Sequence, residues 1–160
     1  MAREPRRVVS LLASSTEMVC ALSCGDRLVA RSHECDYPSW VTALPVVTGP
    51  RFDIGQCAGA IDRDVRVLIA AATSVYWVDP DALARLEPDL VLTQVQCRAC
   101  AVSVDDVRAA LGKVVGVTPE VVSLEPASLA DIHRDVGRVA RALGVVDRGV
   151  RMVARLRQRM

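Results

Sequence analysis

The sequence predicts an α/β domain built on a mainly parallel central sheet flanked by helices. Short apolar runs alternate with helix-period segments along the whole chain, the signature of repeated strand–helix–strand units. Two of these runs, Val8 to Leu12 and Leu90 to Thr93, are almost continuously apolar, as strands covered on both faces are. Aromatic residues make up only 3% of the 160, so the core must come from Val, Leu, Ala and Ile, which suits buried parallel strands.

Taken in order, Val8 to Leu12 reads as a first strand. Ser14 with Glu17 forms a capping-box pattern for a helix running to about Ser23 and stopped by Gly25. Arg27 to Arg31 is a second strand and Pro45 to Thr48 a short third. Ile61, Val65, Leu68 and Ala72 recur at helical spacing. Val75 to Val78 is another short strand. Asp79 ahead of Pro80 starts a helix that Glu87-Pro88 must end. Leu90 to Thr93 is then a strand, Val104 to Leu111 a helix and Val121 to Leu124 a strand. Ser128 with Asp131 caps a helix running to about Leu143, before Gly144. A last helix starts near Asp147 and continues to Met160.

A hydrophobic fraction of 51% excludes a disordered chain, and a net charge of +1 gives no reason to expect nucleic acid or an anionic membrane as partner. From Arg134 to Met160 there are eight arginines against two aspartates, yet Met152, Val153, Leu156 and Met160 form an apolar stripe. That stripe is expected to pack on the domain, on a partner segment, or on another copy of the chain. No run approaches membrane-spanning length, and the apolar stretch after the first arginines is short for a secretory signal. The expectation is a cytoplasmic chain without membrane insertion.

Cytosolic thiols stay reduced, which makes the six cysteines informative. Cys97 and Cys100 form a C-x-x-C, the spacing at which one turn offers two thiolates to a metal. His33 and Cys35 are two residues apart, and in an extended segment both side chains point the same way. Were the two segments to end neighbouring strands, the four groups would form a Cys3His site suited to zinc, with an iron–sulfur cluster the rarer option. A thiol-redox role for Cys97 and Cys100 is the competing chemistry. It needs a thiolate at a helix start, and the next helix begins near Ser103. Cys20, Cys24 and Cys57 read as small buried apolar residues. No G-x-S-x-G, Walker A or G-x-G-x-x-G occurs, and His133 sits among Asp131, Arg134 and Asp135 on a solvated face, so a non-enzymatic role is expected.

Four stretches carry a resemblance. RVVSLLASSTEMVCALSCGDRLVARSHECDYP resembles the opening strand, helix and second strand of the substrate-binding proteins that serve cobalamin and iron-siderophore ABC importers. LARLEPDLVLTQ resembles their strand leading into the binding cleft, EVVSLEPASLADIHRDVGRVARALG the segment closing the first lobe, and DRGVRMVARLRQRM the start of the helix joining two lobes. SHECDYP is the distinctive part, similar to the signal-less, cysteine-bearing cobalamin-binding branch. Ala13 departs from the family, which usually has proline there.

The resemblance implies one amino-terminal lobe over residues 1–144 of a two-lobe periplasmic-binding-protein-like fold. Residues 145–160 would begin the interlobe helix, and no second lobe follows within the 160 residues. It implies non-catalytic binding of cobalamin or a related chelate for an ABC importer. In open α/β sheets ligands sit at the carboxyl ends of the strands. Those are Ala13 to Thr16, Ser32 to Pro38 and Gln94 to Cys100, the loops that the resemblance places at the cleft. The candidate ligand contacts are Ser14, Ser15, Ser32, Asp36, Tyr37, Gln94 and Gln96. Asp36 and Tyr37 fall where the cobalamin proteins have an Asp-Tyr pair, and Trp40 is near enough to contribute. A His33 nitrogen is an alternative axial group for a corrin cobalt. One wall alone is expected to bind weakly or undetectably.

Overall fold

Strand β1 (Val8–Ser10) lies inside a parallel sheet, with every residue buried. A computed structural model describes residues 4–71, 73–94, 104–112 and 119–159. The chain passes from β1 through helix α1 (Ala13–Ala21) to β2 (Leu28–Arg31), β3 (Thr48–Pro50) and α2 (Ala58–Ala70). It continues through β4 (Tyr76–Val78), α3 (Pro80–Leu86), β5 (Leu90–Gln94), α4 (Val104–Leu111), β6 (Glu120–Leu124), α5 (Leu129–Ala142) and α6 (Val146–Gln158). Among the described residues the main sheet has the order β2-β1-β5-β6, with each neighbouring pair parallel.

The double-sided burial expected of β1 and β5 is realised as two cores. Val8, Leu90, Leu92 and Leu124 pack against Val19 of α1, Leu22 just after it and Val139 of α5, together with Leu143. Val9 and Val91 point the other way, onto Ala82 and Leu83 of α3 and Val107 and Leu111 of α4. Successive strand residues thus feed opposite layers, which requires the unbroken apolar runs seen in the sequence.

Several local expectations change. No capping box forms at Ser14, because Leu12 holds the cap position of α1 and makes no side-chain cap bond. The hydroxyls of Ser15 and Thr16 face inward instead, Ser15 Oγ donating to the Leu12 carbonyl at 2.9 Å. Nor does Gly25 end α1. Ser23 takes a positive φ of 57°, while Cys24 N–H reaches the Val19 carbonyl at 3.0 Å and Ser23 N–H the Cys20 carbonyl at 2.9 Å. This Schellman closure leaves Cys24 buried. The third strand begins at Thr48 rather than Pro45, and pairs with β4 as an antiparallel ribbon. A single parallel bridge, Arg31 to Val46, ties the ribbon's approach to β2.

Two cap expectations are met. Asp79 Oδ1 accepts from Asp81 N–H at 3.0 Å and Ala82 N–H at 2.9 Å, with Pro80 at the start of α3. Ser128 Oγ accepts from Asp131 N–H at 3.3 Å, and Asp131 Oδ2 from Ala127 N–H at 3.1 Å. The α6 helix packs against α5, and Arg148 binds the exposed end of α1 through the Leu22 and Ser23 carbonyls at 3.1 and 2.9 Å. Its outer side leaves Val146 and Val150 exposed. No helix among the described residues is long and apolar enough to cross a membrane.

Candidate functional site

Because the four main strands are parallel, their carboxyl ends share one edge. The chain leaves β1 for β2 on one side while β5 lies on the other, so β1 borders the switch point at which open α/β sheets hold ligands. The loops after β1 and β2 meet there, beside the end of β5. Gln96, Cys97 and Cys100 lie outside the described residues.

A buried polar nest supports this edge. Ser10 Oγ and Ser15 Oγ are 2.6 Å apart, and Thr16 Oγ1 lies 2.8 Å from Ser10 Oγ and 3.1 Å from Cys35 Sγ. Burial pushes the Cys35 thiol above its ordinary pKa, with Thr16 opposing through its hydrogen bond. Ser32 is also buried, accepting from Thr48 Oγ1 at 3.1 Å and from Glu34 N–H at 3.3 Å. Of the expected ligand residues, Ser15 and Ser32 therefore turn inward and brace the loops. Ser14, Asp36 and Tyr37 reach solvent, and Gln94 is half-buried at the end of β5. Tyr37 is 65% exposed, on a cis Tyr37–Pro38 peptide. Trp40 is half-exposed and covers Gly25, where a β-carbon would stand 2.8 Å from its ring.

His33 and Cys35 do not share a side of an extended segment. Cys35 N–H bonds the Ser32 carbonyl at 3.1 Å, closing a turn that sends the two side chains to different partners. Cys35 enters the nest. His33 Nδ1 lies 2.9 Å from Thr48 Oγ1, and its ring sits 5.0 Å from Tyr76 at 49°. Tyr76 O–H donates to Glu34 Oε1 at 3.4 Å, and His33 Nε2 lies 4.0 Å from the same oxygen. Burial lowers the His33 pKa; Glu34 opposes that shift and Arg31 adds to it. Among the described residues no three His, Cys, Asp or Glu side chains are placed to hold a metal ion. The zinc or iron–sulfur quartet thus loses its His33–Cys35 half to the turn. Cys24 is buried as expected, but Cys57 is exposed at the start of α2, and Cys20 is half-buried.

Thr48 and Tyr76 escaped sequence reasoning. They come from a ribbon distant from His33 in the chain, and neither spacing nor composition marks them. A second concavity of about 470 Å³ runs between α1, α5 and α6, lined by Met18, Val136, Met152 and Leu156 among others. Tyr37 and Pro38 form part of its wall.

The parallel sheet, its two helical layers and the loop-lined edge have the fold of one lobe of a periplasmic binding protein. No protein-family model matches the chain. Over 99 residues, 54% of this chain, it is 28% identical to the vitamin B12-binding protein of Photorhabdus laumondii, of which the match covers 36%. The periplasmic heme binding protein of Pseudomonas aeruginosa superposes with a TM-score of 0.67 at 21% identity, covering 97% of this chain and 44% of that one. The periplasmic vitamin B12 binding protein of Vibrio cholerae gives 0.67 at 19% identity, covering 98% and 48%. The chain therefore spans less than half the length of these relatives. These likenesses also correct the cytoplasmic expectation, since the solved proteins that share the fold are periplasmic. The short apolar run near residue 8 was a poor guide because it is strand β1, part of the fold itself.

Proposed function

We propose that the chain is one lobe of a non-catalytic binding protein for a metal tetrapyrrole of the cobalamin or heme kind, passed on to an ABC importer. The observation that carries this reading is the carboxyl edge beside β1. There Tyr37 stands exposed next to Asp36 and Ser14, on the fold of vitamin B12- and heme-binding proteins. Aromatic walls with a few polar groups are what pockets offer a large flat ligand. On this reading residues 1–144 are one wall and residues 145–160 begin the interlobe helix.

Titration of the 160-residue chain with cobalamin and with hemin, by calorimetry and visible absorption, tests the reading. One wall leaves about half the ligand in water, and lost contact worth even ~4 kcal/mol weakens binding roughly a thousandfold. The expected result is weak, saturable, one-to-one association. No association with either chelate at millimolar concentration would overturn the reading. Tight binding by a monomer would show that one wall suffices.

A further inference from the structure

Ile61, Val65 and Leu68, which recur at helical spacing, belong to α2, a helix that the binding edge described so far does not use. Strands β3 and β4 pair antiparallel, so the chain from Arg51 to Val75 leaves their ribbon and returns to it at one end. That end lies at the carboxyl edge of the main sheet. Val46 bridges Arg31, the last residue of β2, in parallel, and Thr48 Oγ1 lies 3.1 Å from Ser32 Oγ just past it. Arg51 closes the neck of the excursion, its N–H donating to the Val75 carbonyl at 2.9 Å and its Nε to the Tyr76 carbonyl at 3.3 Å. Beyond the neck little holds it. Gly55 N–H bonds Asp53, Gln56 bonds Asp64 and Arg66 pairs with Asp62, all inside the excursion. Among the described residues no side-chain hydrogen bond or ion pair joins residues 53–73 to the rest of the domain. Ala60 is the one buried residue of α2. Ile61, Val65 and Leu68 are half-buried, and Ile54, Val67 and Ile69 are exposed. An apolar stripe on a helix calls for a covering surface, and the domain covers this one only in part.

Resting on the tetrapyrrole reading above, we infer that residues 51–75 are a helical flap over the carboxyl edge, whose Ile61, Val65 and Leu68 cover an apolar face of the bound macrocycle. The ribbon that carries the flap stands on the α3–α4 layer, into which Val47, Tyr76 and Val78 pack. Tyr37 stands on the opposite layer, beside α1, α5 and α6. A flat ligand lying across the edge thus meets Tyr37 from one side and α2 from the other. From Ile61 to Leu68 the stripe is about 10 Å long, close to the width of a tetrapyrrole ring. The contact is apolar, so it rewards the flat face of the ring whatever fills the axial positions of the metal. Iron chelates wrapped in polar chelating arms present no such face and gain little from the flap.

The test uses the 160-residue chain with hemin or cobalamin, whichever binds it the more tightly, at a concentration that loads most of the protein. Amide hydrogen exchange across α2 is expected to slow by about tenfold or more on loading, and by more than exchange in α3. Val65→Asp puts a charge in the stripe and should weaken chelate binding by about tenfold. Val67→Asp, the same change on the exposed flank of α2, should leave binding at the wild-type level. Because α2 buries only Ala60, both variants should keep a urea midpoint close to that of wild type. Unchanged exchange in α2 of the loaded chain, or equal binding by the two variants, overturns this inference alone. Failure of wild type to bind either hemin or cobalamin overturns the tetrapyrrole reading and the inference with it.

Discussion

A β-carbon placed on Gly149 of α6 would lie 2.5 Å from the β-carbon of Ala140 on α5. The two helices therefore approach at a separation that leaves no room for a side chain at 149. Gly149→Leu should force them apart and cost about 1–3 kcal/mol, read as a lower urea midpoint. Gly137 on α5 has nothing within 4 Å of the equivalent position. Gly137→Ala should therefore stabilise by about 1 kcal/mol through helix propensity alone. Wild-type stability in Gly149→Leu would show that α6 is not docked on the lobe.

The cap residues divide in a way that shows what was legible. Asp79 accepts two backbone N–H groups, whereas Ser14 makes no cap bond. Asp79→Ala should cost about 1 kcal/mol, and Ser14→Ala less than about 0.5 kcal/mol, in equilibrium unfolding. Equal effects from the two would contradict the observed start of α1.

The parallel sheet and its two covering layers followed from the sequence because burial on both faces demands long apolar runs, as at Val8, Val9 and Leu90 to Leu92; the strand order did not. The caps at Asp79 and Ser128 followed because each lies within four residues of the groups it binds. What escaped depends on contacts between distant segments. The inward pull on Ser15 and Thr16 comes from Ser10 and Cys35, and the end of α1 is set by where Cys24 can be buried. Within the site, Tyr37 and Asp36 were legible as exposed loop residues. The pairing of His33 with Thr48 and Tyr76 required knowing where the β3–β4 ribbon stands.

Stability should fall on both sides of neutral pH. His33 has a folded pKa below its ordinary 6.5, so the folded chain resists protonation there. Its contribution is complete above that value and is lost as pH falls through the lowered one. Cys35 has a folded pKa above its ordinary 9.0, so its contribution is complete below that value and is lost as pH rises through the raised one. Urea midpoints measured across pH should decline at both ends. His33→Gln should flatten the acid side, leaving only carboxylate titration further down. Cys35→Ala should lessen the alkaline decline, leaving the part that Cys20 and Tyr76, also raised by burial, contribute. An unchanged acid limb in His33→Gln would show that the imidazole is not held neutral by its surroundings.

Tyr37 and Trp40 are both exposed aromatics on one loop, but the structure gives them different tasks. Tyr37 is 65% exposed, on the rim between the strand edge and the α1–α5–α6 concavity, and its side chain has solvent rather than core to lose. Trp40 is 48% exposed, and the rest of it lies on Gly25, close enough that a β-carbon there would meet the ring at 2.8 Å. Tyr37→Ala should leave the unfolding midpoint within about 0.5 kcal/mol of wild type, as surface substitutions do. It should also remove a flat contact worth up to about 1.4 kcal/mol to a tetrapyrrole, weakening association roughly tenfold. Trp40→Ala should lower stability by uncovering Gly25 and the end of α1, with the smaller effect on binding. Paired titrations and urea melts on the two variants separate these tasks. Loss of stability in Tyr37→Ala with unchanged chelate binding would make Tyr37 a packing residue and move the aromatic wall elsewhere along the edge.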